Sequence, residues 1–289
     1  MTGYRFVHDH QAEFDVTRMC ELVEVSRSGF YDWRDRPMSD RDVDNAYLAN
    51  QIHTIFTASR CTYGAPRVLG QLRNNGVRCS RKRVARLMAE HGWIGAHSRR
   101  KWRRGKRNPA PAPDLLDRNF AAAASDEKWA ADITEFNCVD GKLFLAGIAD
   151  LHDKTIVGWS MGERQTTDLV VNALVMALAR RNPDNVVHHS DHGTQYTSLE
   201  FSNRMAAWQL KPSFGSVGDC FDNAKIESIW SVIKREIRIT VGPWEELTRS
   251  QLRTVLFDYI EVFYNRQRHQ AGLGHRTPAE TYNRSKQAA

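Results

Sequence analysis

From about Ser125 to Tyr282 the chain alternates short apolar runs with strand spacing and longer ones with helix spacing. That order constrains the fold more than any other feature. KWAADITEF reads as a short strand with a carboxylate in its middle. KLFLAGIADL and KTIVGWSM follow as two apolar strands, separated by the turn-like His152-Asp153. Residues 168–180 place Leu169, Ala173, Leu174, Met176 and Ala177 at helical spacing. NVVHHSD is a further strand, 199–208 a helix, and KPSFG a brief strand leading into the loop GDCFDN. A long helix is predicted from about 223 to 238, and another over 252–264 before a basic tail. The order β-β-β-α-β-α-β-α predicts an α/β domain with a mixed five-stranded sheet flanked by helices, a meander first and crossovers after.

The region before this is read as all-helical. TRMCELVEVSRSGFYDW gives a helix, a break, and Ser26 as N-cap of a second helix. A longer helix is predicted over 42–58. In PRVLGQLRNNGVRCSRKRVARLMAEHGW, Gly76 suits a C-terminal stop and Ser80 caps the next helix. Arg81, Lys82, Arg83 and Arg86 crowd the start of that helix beside an apolar stripe of Val84, Leu87 and Met88. Two readings compete: a small bundle with a solvated basic face, or a helix-turn-helix whose second helix approaches DNA. The density of cations favours the second.

Between the two regions lie Arg99, Arg100, Lys101, Arg103, Arg104, Lys106 and Arg107, with no acid among them, followed by Pro109, Pro111 and Pro113. Such a run repels itself and cannot pack into a core. It reads as a stiff tether, and so many adjacent cations favour one that neutralises phosphates. Across the chain Lys+Arg exceed Asp+Glu by 41 to 34, a net +7 that points toward a polyanionic partner. The expected division is 1–94 helical and DNA-binding, 95–120 a basic, Pro-containing linker, 121–245 the catalytic core, and 246–289 a C-terminal helix and basic tail.

The five cysteines form no CxxC pair and are odd in number, which fits reduced thiols. No apolar run approaches a membrane span, and the first residues are too polar and acidic for a signal peptide. The expectation is a cytoplasmic protein with no membrane partner.

Three carboxylates carry the chemistry. Asp132 sits among apolar neighbours in a strand, where it needs a partner or a cation unless it faces solvent. Asp191 ends the strand NVVHHSD, at the carboxyl end where α/β folds place ligands. Turns also favour Asp-x-Gly there. Glu227 lies on the long helix and shares a polar ridge with Asn223, Ser231 and Lys234, while Ile226, Trp230, Ile233 and Ile237 form a core stripe. Each is unremarkable alone. Together, with 35 residues between Asp191 and Glu227, the strand–strand–helix placement lets them converge on one end of the sheet. Converging carboxylates repel, and a divalent cation removes that repulsion. An all-oxygen donor set suits Mg²⁺ or Mn²⁺, and two such ions can bracket a scissile phosphate. His188 and His189 read as packing residues, and Trp102 as a possible stacking residue within the basic run.

KWAADITEF, HHSDHGTQYTS and GDCFDNAKIESIWSVIKREI resemble the DDE signature of retroviral-integrase-type cores, and more closely that of insertion-sequence transposases of the IS-three family. SRSGFYDW, TYGAPRVLGQLRNNGVRCSRKRVARLM and YNRQRHQAGLGHRTPAE are similar to the same family's second-reading-frame product. The resemblance spans nearly the whole chain, in order. It implies a ribonuclease-H-like core and metal-dependent DNA cleavage and strand transfer, with Asp132, Asp191 and Glu227 as catalytic and metal-holding residues. It implies that Lys234 contacts DNA near the element's end and that Asp222 and Asn223 form the DN step before the catalytic helix. Partners would be double-stranded DNA of the terminal repeats and target, a second copy of the chain at least, and an upstream-frame protein or fusion. The bacterial protein would associate with the nucleoid when bound to DNA. His192 stands where relatives often carry Arg, and neither an HHCC zinc module nor zipper heptads occur in residues 1–120. A nuclease that only hydrolyses and a non-catalytic DNA-binding regulator remain the alternatives.

Overall fold

The structure is a computed structural model that describes residues 3–36, 39–96, 122–191, 193–214 and 224–288. It divides into two compact units, 1–51 and 52–289. The expected linker cations 99–107, together with Trp102, His192, Asp222 and Asn223, lie outside the described residues.

In the first unit, α1 (Gly3–His10), α2 (Val16–Leu22) and α3 (Arg27–Asp35) close around Val7, Met19, Cys20 and Phe30. Asp15 and Ser26 start α2 and α3 by accepting hydrogen bonds from the Arg18 and Gly29 amides, each at 3.0 Å. Helix α4 (Asp40–Ala58) begins in this unit.

The second unit opens with a helix pair, α5 (Ala65–Asn74) and α6 (Arg81–Glu90). Gly76, at φ +80°, turns the chain after α5 in the left-handed conformation a Cβ disfavours. Ser80 then caps α6, accepting from the Arg83 amide at 3.2 Å. The facing stripes Val68, Leu69, Leu72 and Val84, Leu87, Met88 are buried. Helix α6 therefore carries Arg81, Lys82, Arg83 and Arg86 opposite its apolar side, with Arg86 paired to Glu90 at 2.7 Å.

A five-stranded sheet follows: β1 (Lys128–Cys138), β2 (Gly141–Asp150), β3 (Ile156–Gly162), β4 (Val187–Ser190) and β5 (Lys211–Phe214). Its order is β3-β2-β1-β4-β5, with β1–β2–β3 antiparallel and β1–β4–β5 parallel. This is the mixed five-stranded sheet that the sequence order predicts. Helix α7 (Thr167–Arg181) makes the crossover from β3 to β4, and α8 (Leu199–Ala207) the one from β4 to β5.

Side-chain alternation divides the core between the two faces. Trp129, Ala131, Ala146 and Ile148 pack with α7 and α8 on one face. Ala130, Phe136, Leu143 and Leu145 pack on the other against α9 (Ala224–Val241), through Ile226, Trp230, Ile233 and Ile237. The helix expected over 252–264 divides: α10 (Arg249–Phe257) runs into a π-helical segment, Asp258–Tyr264. Apolar spacing alone does not separate an i→i+5 ladder from an i→i+4 one. The segment buries Tyr259, Ile260, Phe263 and Tyr264, and Asn265 just after it hydrogen-bonds both backbone groups of Ile156 at 2.9 and 3.1 Å. The chain ends in α11 (Pro278–Ala288). Among the described residues no helix is long and apolar enough to cross a membrane.

A buried ionic cluster ties these parts together. Glu236, on α9, is 1% exposed and accepts two hydrogen bonds from Arg268 (2.8 and 2.9 Å), one from Tyr259 (2.7 Å) and one from Arg67 of α5 (3.1 Å). Burial alone would raise its pKa, but the Arg268 hydrogen bonds and charge outweigh that and hold it below the ordinary value. Its stabilising contribution is therefore present above the unfolded-state pKa and fades as pH falls through the lower folded one. Glu236→Ala leaves Arg268 buried without a counter-charge and is expected to cost roughly 3–5 kcal/mol, whereas Arg67→Ala, at the more exposed edge, costs about 1 kcal/mol. Urea denaturation at neutral pH measures both.

Candidate active site

Strand β1 pairs with β4 in parallel register, Lys128 with Val187 and Ala130 with His189. The same offset carried two residues further sets Asp132 level with Asp191, which immediately follows β4. Asp132 belongs to the alternation set that faces α9, with Ala130 and Phe136. Glu227 lies in the first turn of α9 on that side. Two strands and a helix thus bring the three predicted carboxylates to one region. The effect is electrostatic: burial first, and then the charges of Asp191 and Glu227, push the Asp132 pKa up to about 7. Hydrogen bonds from the Ile133 amide and the Trp230 indole act in the opposite direction.

The three do not share one environment. Asp132 is partly buried, while Asp191 and Glu227 are exposed. The Asp191 carboxylate accepts from the Gly193 amide at 3.0 Å, which fixes the turn after β4. Among the described residues no three His, Cys, Asp or Glu side chains converge at metal-ligating spacing. The donor chemistry nevertheless suits a hard divalent cation: all the ligands are oxygens, and like charges raise the pKa of the most buried one.

Trp230 is the residue that sequence reading assigned only to the core stripe. Its indole Nε1 donates to Asp132 Oδ2 at 3.1 Å. Its ring lies over Gly147, the cross-strand partner of Asp132 on β2. A Cβ at Gly147 would run into the six-membered ring of the indole, so glycine is what lets α9 settle close enough for the bond. One side chain therefore seats the helix that bears Glu227 and orients the carboxylate on β1. Tyr196, also unassigned from sequence, is buried near the same charges; burial first, and then Asp132 and Asp191, keep its phenol protonated well above the usual range.

Lys234 sits two turns beyond Glu227. Its Nζ donates to the Glu135 carbonyl at 2.9 Å and lies 4.9 Å from the centre of the Phe136 ring. Burial lowers its pKa, against the raising influence of Glu135 and Asp132. Here it fastens α9 to β1. His188 and His189 are buried packing residues: burial lowers the His188 pKa to about 4, keeping it neutral, and His189 Nδ1 lies 3.0 Å from Ser213 Oγ.

A five-stranded mixed sheet in the order β3-β2-β1-β4-β5, flanked by helices, is the core of the integrase class. Comparison with known proteins agrees. The integrase core domain family matches residues 122–220 and again 227–285, and an HTH-like domain family matches 42–102. The transposase InsF for insertion sequence IS3A of Escherichia coli (strain K12) is 35% identical over 288 residues, covering 98% of this chain and 99% of that protein. An insertion element IS600 31 kDa protein of Shigella sonnei is 38% identical over 265 residues, 90% of this chain and 96% of that one. The HTLV-2 integrase catalytic core domain in complex with magnesium superimposes with a TM-score of 0.44 at 15% identity, over 55% of this chain and 98% of that one. The chain belongs to the family of insertion-sequence transposases that includes the IS3 InsF proteins.

Because the folded pKa of Asp132 is raised, its contribution to stability is complete below the unfolded value near 3.8 and is lost as pH rises through about 7. Asp132→Asn is therefore expected to stabilise the metal-free protein at pH 8 by on the order of 2–4 kcal/mol, and to make no difference below pH 4. Denaturant titrations in EDTA at the two pH values check the sign. Gly147→Ala is expected to push the indole off its seat and cost about 1–3 kcal/mol, with retained sheet content by circular dichroism.

Proposed function

We propose that this protein cleaves DNA at the ends of an insertion sequence and joins the freed 3′-hydroxyl to target DNA, with Asp132, Asp191 and Glu227 as its catalytic set. The observation that supports the reading is that β1, the residue after β4 and the first turn of α9 bring the three carboxylates to one region, near enough that Asp191 and Glu227 help raise the Asp132 pKa. Mg²⁺ or Mn²⁺, two ions by the chemistry of such sites, would be held by the three carboxylates and would supply activation of the attacking hydroxyl and charge neutralisation at the phosphate.

The chain's own residues do the positioning. Trp230 holds Asp132 at a fixed orientation, so that the carboxylate need not be ordered when substrate arrives. The turn after β4, fixed by Asp191 and Gly193, presents Asp191 at the sheet's carboxyl end. Lys234, Asn223, the α6 cations Arg81, Lys82, Arg83 and Arg86, and the run from Arg99 to Arg107 would neutralise backbone phosphates on either side of the cut. The chain would act as at least a dimer on double-stranded DNA, one copy for each end, with an upstream-frame protein or fusion as a further partner. In this reading 1–94 binds DNA, 95–120 tethers it, 121–245 catalyses and 246–289 supports the core, in the bacterial cytoplasm.

Asp132→Asn, Asp191→Asn and Glu227→Gln are each expected to lower Mg²⁺-dependent nicking and joining of labelled terminal-repeat DNA by roughly 10³-fold or more, the scale on which preorganised charge stabilisation is lost. DNA affinity measured in EDTA should be unchanged or slightly higher. Full joining activity in Asp132→Asn would sink the assignment, and cut ends without joined products from the unmodified chain would reduce it to hydrolysis.

A further inference from the structure

At the end of the sheet where β1 begins and β2 turns into β3, a concave cavity of about 430 Å³ is lined by His152, Arg276, Thr281, Arg284 and Ser285, with Ala123 and Ala124 as its wall. Arg276 is partly buried, and its Nε has no hydrogen-bond partner. Among the described residues, neither Arg276 nor Arg284 has an ion-pair partner.

Glu127, which accepts from the Ala123 and Ala124 amides at 2.6 and 3.3 Å, and Glu280, which accepts from the Thr277 amide at 2.8 Å, stand beside the cavity, but among the described residues neither forms an ion pair with Arg276 or Arg284. Asp150 is occupied by three backbone amides, those of Asp126, His152 and Asp153, at 2.7–2.9 Å. Asp153 is taken by Arg181, at 3.1 and 3.3 Å, and Asp126 lies 3.5 Å from the same guanidinium. The His152 ring is anchored by Nδ1, 3.0 Å from the Ala122 carbonyl. Two guanidiniums facing one cavity repel each other, and the partial desolvation of one adds to the cost. An anion with several acceptor oxygens relieves both terms, and guanidinium geometry matches a phosphate's.

We propose that this cavity binds a backbone phosphodiester of DNA, at a point separate from the carboxylates. The inference rests on the DNA-processing reading above and adds to it a place where the substrate is held. Asp132 pairs with Gly147, and β2 runs three residues further, to Asp150, before the turn that carries His152. At about 3.3 Å per residue the cavity lies on the order of 10 Å or more along the sheet from Asp132. A duplex carries one charge per roughly 1.7 Å of axis, so DNA engaged at the carboxylates has several further phosphates over that distance. A second cationic hold at this end would fix the angle of the duplex on the core while leaving base identity unread.

The test uses the full-length chain with Arg284→Gln, Arg276→Gln and the double variant. Fluorescence anisotropy with labelled duplex DNA is measured over a KCl series in EDTA. Each single variant is expected to reduce the slope of log affinity against log salt by about one and the double by about two, equally for terminal-repeat and unrelated duplexes. Arg284 is exposed, so its variant tests the idea even if Arg276→Gln folds poorly. An unchanged slope in Arg284→Gln overturns the proposal. So does a melting-temperature rise with inorganic phosphate that the variants abolish while DNA slopes stay the same, because the cavity would then serve free phosphate. The catalytic reading fails separately, through joining activity in Asp132→Asn, whichever way the salt slopes fall.

Discussion

Helix α9 meets the sheet through an indole lying over a glycine. Trp230 covers Gly147 and donates to Asp132, which stands opposite Gly147 in the register of β1 and β2. Because Glu227 is three residues before Trp230 on the same helix, the contact that packs the core also sets how far Glu227 stands from Asp132. A residue larger than glycine at 147 would lift the helix, and a ring without an N–H at 230 would leave Asp132 with one fewer hydrogen bond. Packing and chemistry are here the same interaction, and neither can be altered without the other.

The same helix is held a second way, about two turns along. Glu236 lies at a point where α5, α9, the π-helical segment and the chain around Arg268 all meet. A carboxylate this buried is tolerated because its hydrogen bonds and the adjacent guanidinium outweigh its desolvation. The consequence is that the helix-pair region and the C-terminal segment both bear on the rotation of α9. Lys234, bonded to the Glu135 carbonyl, adds a third fastening on the β1 side.

Much of this could be read from the sequence, for identifiable reasons. Strand alternation and helix spacing place all five strands of the sheet and the helices between them, because one face of each must be apolar. The caps at Ser26 and Ser80 and the turn at Gly76 follow from local stereochemistry alone. The convergence of Asp132, Asp191 and Glu227 depends on register, which sequence gives only as a topology, while the structure supplies the actual offset between β1 and β4. What could not be read is of another kind. Trp230 falls in an apolar stripe, and nothing in the spacing says that its N–H finds a carboxylate. The family resemblance marks Glu236 as an acidic position beyond Glu227, but nothing in the spacing says that Arg268, 32 residues away, covers it. The π-helical turn differs from an α-helix by a single hydrogen-bond step that leaves the apolar pattern unchanged.

The distribution of charge follows from these placements. Its own burial first, and then the charges of the exposed Asp191 and Glu227, raise the pKa of Asp132, a cost that the fold sustains. Two buried acids elsewhere are satisfied within the protein, Glu236 by Arg268 and Asp153 by Arg181, whereas burial and the neighbouring Asp153 push the Asp150 pKa up to about 7 despite its backbone amides. Asp132 resembles Asp150 rather than Glu236: amide and indole hydrogen bonds only partly offset its burial and the charges beside it. In the same way, Arg276 lacks the partner that Arg181 and Arg268 possess. In the reading proposed above, the uncompensated negative charge at one place would take up metal ions and the uncompensated positive charge at the other a polyanion.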